Sequence, residues 1–262
     1  MNASHITRGF VREVSRSLGR CELLHVPRQE FNLETATRQH AAYVAALEAA
    51  GVVVTVLPEE PELPDSSFVE DAVIILYEAA VVCRLGSASR TPEAESIERA
   101  VARIRPIHRI VDPGTIEGGD VLRIGKTFYV GISGRTNQAG IRQFDEIVRR
   151  YGYHVVEVRV AGCLHLKTGV TSPAEGFLIA NADWIDLSPF GRFEILRVSA
   201  GEPWGANTLA INGVVLVAES SPRTADVLEA KGLRVKRLGI SEIQKAEAGL
   251  TCLSVLFSAP GQ

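Results

Sequence analysis

GGDVLRIGKTFYVGISGRTNQAGIRQFDEIVRRYGYHVVEVRV, residues 118–160, contains one structural unit in full. GGDVLRIG and TFYVGIS read as a strand pair. The stretch RTNQAGIRQFDEIVRRYG then sets Ile141, Phe144, Ile147 and Val148 on one face of a helix. HVVEVRV follows as another strand. The order is strand, strand, helix, strand. Such a unit cannot bury its own apolar face, whereas copies arranged around an axis can.

The same order recurs along the chain. VEDAVIIL with AAVVCRL, residues 69–85, precedes a helix at TPEAESIERAVARI, where Thr91 reads as N-cap and Pro92 as first helical residue. LKTGVTS with GFLIANA, residues 166–182, is a third pair, with DWIDLSPFGRF where a helix is expected. NTLAI and VVLVAES, residues 207–220, are joined by Asn212-Gly213, a strong two-residue hairpin turn. CLSVLFS makes half of a fifth pair. Near the start, LETATRQHAAYVAALEAAG is an amphipathic helix ending at Gly51, a good C-cap. No long Gly/Ser linker divides the chain, so residues 1–262 are expected to form one domain.

Composition excludes several classes. The chain is 46% hydrophobic and 23% charged, which fits an ordinary soluble protein with a sizeable core. Net charge is -3, with no basic block or aromatic platform, so nucleic acid is not an expected partner. The apolar run from Ala72 to Cys83 is interrupted by Glu78 and is too short to span a bilayer. The first twenty residues are polar and basic, so no signal peptide is expected. Cys21, Cys83, Cys163 and Cys252 lie far apart without CxxC spacing, which argues against a zinc site or a disulfide framework. A reducing cytoplasm is the expected setting.

Chemistry-bearing residues recur at one phase of the repeat. Glu70-Asp71, Glu117, His165, Asn207 and Cys252 each sit where a copy's first strand begins, at spacings of 47, 48, 42 and 45 residues. Copies around an axis bring these positions to one end of it. Taken singly, each has an ordinary reading: Cys252 as a small core hydrophobe, His165 as a satisfied core histidine, EGGD as a turn. Together they converge a thiol, an imidazole, carboxylates and an amide. A cysteine near a histidine can act as a nucleophile. Carboxylates beside a thiol raise its pKa unless a cation is present. A cationic substrate, gripped by paired carboxylates, resolves that conflict.

FVED, IEGGD, GRTN, LHLKTG and LTCLS, in that order, closely resemble the dimethylarginine dimethylaminohydrolase family of the guanidine-modifying (amidinotransferase-like) superfamily. The resemblance runs over nearly the whole chain. It implies an α/β fold, a five-bladed α/β propeller of ββαβ repeats with pseudo-fivefold symmetry. It also implies hydrolysis of Nω-methylated arginine to citrulline and an amine, with Cys252 as nucleophile and His165 as acid and then base. Glu117 would orient the guanidinium, and Asp71 with Glu70 would bind its other nitrogens. By the same resemblance Arg84 and Arg135 bind the α-carboxylate, Asp65 receives the α-amino group, and Phe68 lines the pocket wall. Ala246 lies with the substrate-binding loop, and Leu18 is the tip of a lid. No cofactor or metal is implied. The partner is a small guanidino amino acid, and the protein is a monomer or homodimer. In place of the family's usual Asp-Gly pair before the cysteine motif, this chain has Glu247-Ala248, which bears on the substrate preference. Arginine deimination by the same machinery is the rival activity. A non-catalytic binding module and a scaffold with Cys252 as packing are rivals of other classes.

Overall fold

The computed structural model describes residues 5–259. Strand β1 (Arg8–Arg12), helix α1 (Leu33–Ala49) and strand β2 (Val53–Leu57) come first. Then β3 (Val73–Ile75), β4 (Ala80–Val82), α2 (Glu93–Val101) and β5 (Ile107–Arg109) make a complete unit. The unit quoted above follows as β6 (Val121–Ile124), β7 (Thr127–Ile132), α3 (Gln138–Arg149) and β8 (His154–Arg159). A single turn, α4 (Leu166–Gly169), leads into β9 (Val170–Ala174), β10 (Phe177–Ala180) and β11 (Glu194–Arg197). Next come β12 (Leu209–Ile211), β13 (Val214–Ala218), α5 (Pro222–Ala230) and β14 (Arg234–Leu238). The described chain finishes with α6 (Ser241–Lys245) and β15 (Val255–Phe257).

These strands form five three-stranded sheets of mixed α/β architecture, each with the same internal order. The first strand pairs antiparallel with the second, and the second pairs parallel with the third. A parallel pair needs a crossover, which the helix supplies. The fifth sheet, β15-β1-β2, joins the two ends of the chain: Phe10 pairs with Val255 on one side and Thr55 on the other. The third sheet has no crossover helix. A short turn at Ser188–Phe190 replaces it, and Phe190 is buried against Tyr129 with ring centroids 4.5 Å apart.

Local sequence explains the well-formed elements. Asn137 caps α3 by accepting the Gly140 amide at 2.8 Å, and Ile141, Phe144, Ile147 and Val148 are buried. Asn32 caps α1 in the same way, and Gly51 follows its end at φ +86. Asn212 and Gly213 take the left-handed conformations of a tight hairpin, φ 45 and 84. Asn212 does more than turn the chain. Its side chain exchanges two hydrogen bonds with the Ile6 backbone (3.0 and 2.7 Å) and donates to the Ala50 carbonyl at 2.9 Å. It therefore ties the fourth unit to the fifth.

The repeat phase is the part of the fold that builds the site. Short turns carrying Glu70-Asp71, Glu117, His165, Asn207 and Cys252 each lie just before the first strand of a sheet. They are cross-linked: Asp71 accepts the Gly119 amide at 3.0 Å, and Asn207 donates to Thr251 Oγ1 at 3.1 Å.

Leu18, expected at the tip of a lid, lies in the segment between β1 and α1. It is 1% exposed and packs in a core with Val11, Val14, Tyr43 and Leu253, because the chain leaving β1 keeps its apolar side chains turned inward. The exposed leucine of this region is Leu24, at 59%.

Replacing Asn212 by Ala removes three hydrogen bonds and a residue suited to the left-handed turn. At about 1 kcal/mol per bond, the loss is expected to be roughly 2–3 kcal/mol. Urea denaturation measures it; a loss below about 0.5 kcal/mol, the usual range for surface substitutions, would show that the tie between units is unimportant.

Candidate active site

Cys252 stands in the short turn Thr251–Leu253, ahead of β15, and its thiol is buried. The Gly249 amide donates to Sγ at 3.4 Å. Burial, followed by the charges of Glu70 and Asp71, pushes the thiol up to about 12. Cys252 is therefore a thiol and not a thiolate at neutral pH.

His165 lies directly before α4 and is buried. Its Nε2 is 2.6 Å from Glu117 Oε2, and its Nδ1 is 3.9 Å from Asp71 Oδ1. Burial works against the charged ring. The charge of Asp71, the hydrogen bond to Glu117 and the charge of Asp120 outweigh it and raise His165 to about 9. The imidazole is therefore a cation at neutral pH and a proton donor. Glu117 is completely buried and is held by the Gly86 amide (2.9 Å to Oε1) and, through its own amide, by Thr136 Oγ1 at 3.1 Å. Gly119 is required here: a Cβ would lie 2.6 Å from His165 Nδ1 and 2.8 Å from Asp71 Oδ1.

One pocket is lined by Cys252, His165, Asp71, Asp65, Phe68, Ala246 and Arg135 among others. The open space between them is about 10 Å³. That is room for roughly one water. A substrate of amino-acid size must therefore displace some of the lining.

A family model for "N,N dimethylarginine dimethylhydrolase, eukaryotic" matches residues 25–187. The N(G),N(G)-dimethylarginine dimethylaminohydrolase of Streptomyces coelicolor is 38% identical over 251 residues, covering 95% of this chain and 96% of that one. The enzyme of that name from Pseudomonas aeruginosa is 37% identical over 224 residues, covering 85% and 88%. The chain belongs to the dimethylarginine dimethylaminohydrolase family. A solved structure of the Pseudomonas aeruginosa dimethylarginine dimethylaminohydrolase, a Cys-to-Ser mutant complexed with citrulline, superposes with a TM-score of 0.93 at 34% identity. It covers 97% of this chain and 100% of that one.

Within this dimethylarginine dimethylaminohydrolase family member, the sequence-derived residues divide into two groups. Asp65, Phe68, Asp71, Arg135, His165, Ala246 and Cys252 line the pocket, with Glu117 bonded directly behind His165. Glu70 and Arg84 do not line it. Glu70 pairs with Lys167 at 2.5 Å. Arg84 is partly exposed and pairs with Asp112 at 2.8 Å, because the chain after β4 carries its side chain outward. Arg90, six residues later, is the arginine that reaches the pocket. It is buried, with Nη1 2.9 Å from Asp71 and 3.8 Å from Glu117, while Nη2 is 2.9 Å from Glu93. Burial holds the Glu93 carboxyl up at about 7 despite that contact. Sequence reasoning also missed Glu22 and Leu164 as lining residues, and it marked Glu247 and Ala248 only as a departure from the family pattern.

Asp71, Glu117 and His165 bring ligand-type atoms within 4.8 Å of one another, a spacing that a metal ion could also use. The Arg90 guanidinium lies against two of them, so the cluster already faces an organic cation of the shape a guanidine substrate presents.

A histidine titration followed by NMR is expected to give His165 a midpoint near 9. Glu117→Gln lowers it by about one unit or more, since an opposite charge in contact shifts a pKa by roughly 1–3 units. His165 is raised above its unfolded value of 6.5, so its contribution to stability is complete below that pH and is lost as pH rises through about 9. A midpoint at or below 6.5 would contradict the geometry.

Proposed function

We propose that this protein hydrolyses Nω-methylated arginine, both asymmetric dimethylarginine and monomethylarginine, to citrulline and dimethylamine or methylamine through a covalent cysteine intermediate. The observation that carries this reading is the pocket shared by Cys252, His165 and Asp71, with Glu117 behind the imidazole, in a chain of this family. The five equivalent sheets, the last closed by both chain ends, support one catalytic domain built as a five-bladed α/β propeller of ββαβ units with pseudo-fivefold symmetry. Four free cysteines are consistent with a reducing cytoplasm.

The mechanism follows from the charges. The substrate guanidinium enters beside Asp71 and Glu117. Burial and the carboxylates hold Cys252 as a thiol; the guanidinium charge opposes them, so the thiol releases its proton to solvent on binding. The thiolate attacks the guanidinium carbon. His165, charged before the reaction, protonates the departing amine as the C–N bond breaks, leaving an amidino-thioether cation on Cys252. The neutral His165 then takes a proton from water, and the hydroxide adds to the same carbon. Collapse of that adduct expels the thiolate, and loss of one proton leaves the neutral urea of citrulline. At the amino-acid end, Arg135 binds the α-carboxylate together with Arg90 in the place first given to Arg84. Asp65 receives the α-ammonium, and Phe68 and Ala246 form apolar walls. Glu70, paired with Lys167, supports the Cys252 turn instead of holding substrate.

Cys252→Ser is expected to abolish citrulline formation, a loss of at least about a thousandfold for removing a nucleophile. Dimethylarginine, monomethylarginine and arginine are compared in the same assay; equal or better turnover of arginine would replace this reading with arginine deimination. The thiol is expected to titrate far above neutrality in the free protein and to fall when an inert cationic guanidine binds. Thiolate absorbance measures both, and a free-protein pKa near 7 would refute substrate-assisted ionisation.

A further inference from the structure

The pocket contains a carboxylate for which the reaction has no role. Glu22 enters from the segment between β1 and α1 and ends among Ser87, Ser89 and Arg135. Its Oε1 accepts both serine hydroxyls, and its Oε2 accepts from Arg135 Nη2 at 2.8 Å. Burial alone would raise this carboxyl. The two hydroxyls and the Arg135 charge outweigh burial and hold it below the usual carboxylate range, so it is ionised at neutral pH. Arg135 is itself buried; its Nε and Nη1 make no hydrogen bond among the described residues, and Nη1 lies 3.8 Å from Glu117 Oε1. The guanidinium is built for a bidentate grip on a carboxylate, and only Nη2 is hydrogen-bonded to one.

We propose that Glu22 is a resident competitor for Arg135, holding the place that the substrate's α-carboxylate takes, so that binding exchanges one carboxylate for the other. The proposal rests on the assignment of Arg135 as the carboxylate-binding residue. Two observations favour exchange over addition. The space left with Glu22 in place is about 10 Å³, too small for an amino-acid end. A second carboxylate beside Glu22 would also share one guanidinium in a pocket that already contains Asp65 and Asp71, and like charges at contact are unfavourable. When product dissociates, Glu22 reclaims the arginine. Affinity for carboxylate-bearing guanidines is therefore lower than the contacts of the pocket alone would give, and a guanidine without a carboxylate escapes this competition.

The test measures binding without turnover, in the full chain carrying Cys252→Ser, with and without Glu22→Gln. Calorimetry gives Kd for citrulline, arginine and decarboxylated arginine. Glu22→Gln keeps the shape and a hydrogen-bond acceptor but removes the charge. Citrulline and arginine are expected to tighten by about tenfold, the scale of one charge-assisted hydrogen bond. Decarboxylated arginine is expected not to tighten. Weaker binding of citrulline and arginine would mean that Glu22 holds the substrate's ammonium, and would overturn the proposal. Equal tightening of all three ligands would mean that Glu22 only obstructs the entrance, and would overturn it too. Glu22→Ala, read in the same way, guards against an effect peculiar to the glutamine. Citrulline formation by the parent protein is scored separately. Its absence would remove the functional reading, whereas unchanged Kd values with turnover intact would remove only the role of Glu22.

Discussion

Four carboxylates, those of Glu70, Asp71, Glu117 and Asp120, are brought to the turns around Cys252 and His165, and three of them are almost wholly buried. Buried negative charge must be matched by positive charge or by several hydrogen bonds. Each group has its own partner. Lys167 pairs with Glu70, Arg90 with Asp71, and the imidazolium of His165 with Glu117, while Asp120 takes the Leu166 amide and the Ser133 hydroxyl. The properties that matter for chemistry follow from this balance. His165 stays charged because it faces the Asp71 carboxylate and bonds to Glu117. Cys252 stays protonated because it is buried and because the Glu70 and Asp71 carboxylates outweigh the more weakly felt Lys167. A cationic substrate adds positive charge beside these carboxylates, which favours the thiolate.

The fold was legible where local signals repeat. Hairpin turns, helix caps and an apolar face recur in the same order, and each can be read from about ten residues at a time. That same periodicity marks Glu117, His165, Asn207 and Cys252 as equivalent positions, each just before the first strand of a sheet. What could not be read was the closure of the fifth sheet. RGFVR carries no strand pattern strong enough to separate it from the polar segment around it, and its partner strand lies more than 240 residues away. Pairing of that kind is fixed by the rest of the assembly and leaves no local mark.

Arg84 and Arg90 illustrate the same limit at the scale of one side chain. Both follow β4 within eight residues, and neither lies in a periodic element that would point it inward or outward. Arg84 meets the exposed Asp112, while Arg90 sits in a short helical turn that aims it at Asp71. Loop backbone decides this, and residue spacing carries no information about it. Leu18 shows the same limit: its polar neighbours carry no periodic pattern, yet it is buried along with Phe10, Val11 and Val14.

Glu247-Ala248, where the chain departs from the family pattern, has a physical consequence. Glu247 takes a left-handed conformation, φ 57, and its buried carboxylate accepts the Leu24 and His25 amides at 2.7 and 3.1 Å. The segment that carries Glu22 into the pocket is thus held by two carboxylates, its own on Arg135 and that of Glu247 on its backbone. Glu247 is two residues before Gly249, whose amide meets the Cys252 sulfur. Moving the segment aside to admit an amino acid must break bonds that belong to the nucleophile's own loop. An arriving carboxylate replaces the bond lost at Arg135 but none of those at Glu247. The reach of a glutamate, one methylene longer than the family's aspartate, therefore ties substrate entry to the position of Cys252. On the proposed exchange at Arg135, the preference among guanidines depends on what each ligand gives back for opening that segment as well as on its fit around the guanidinium carbon.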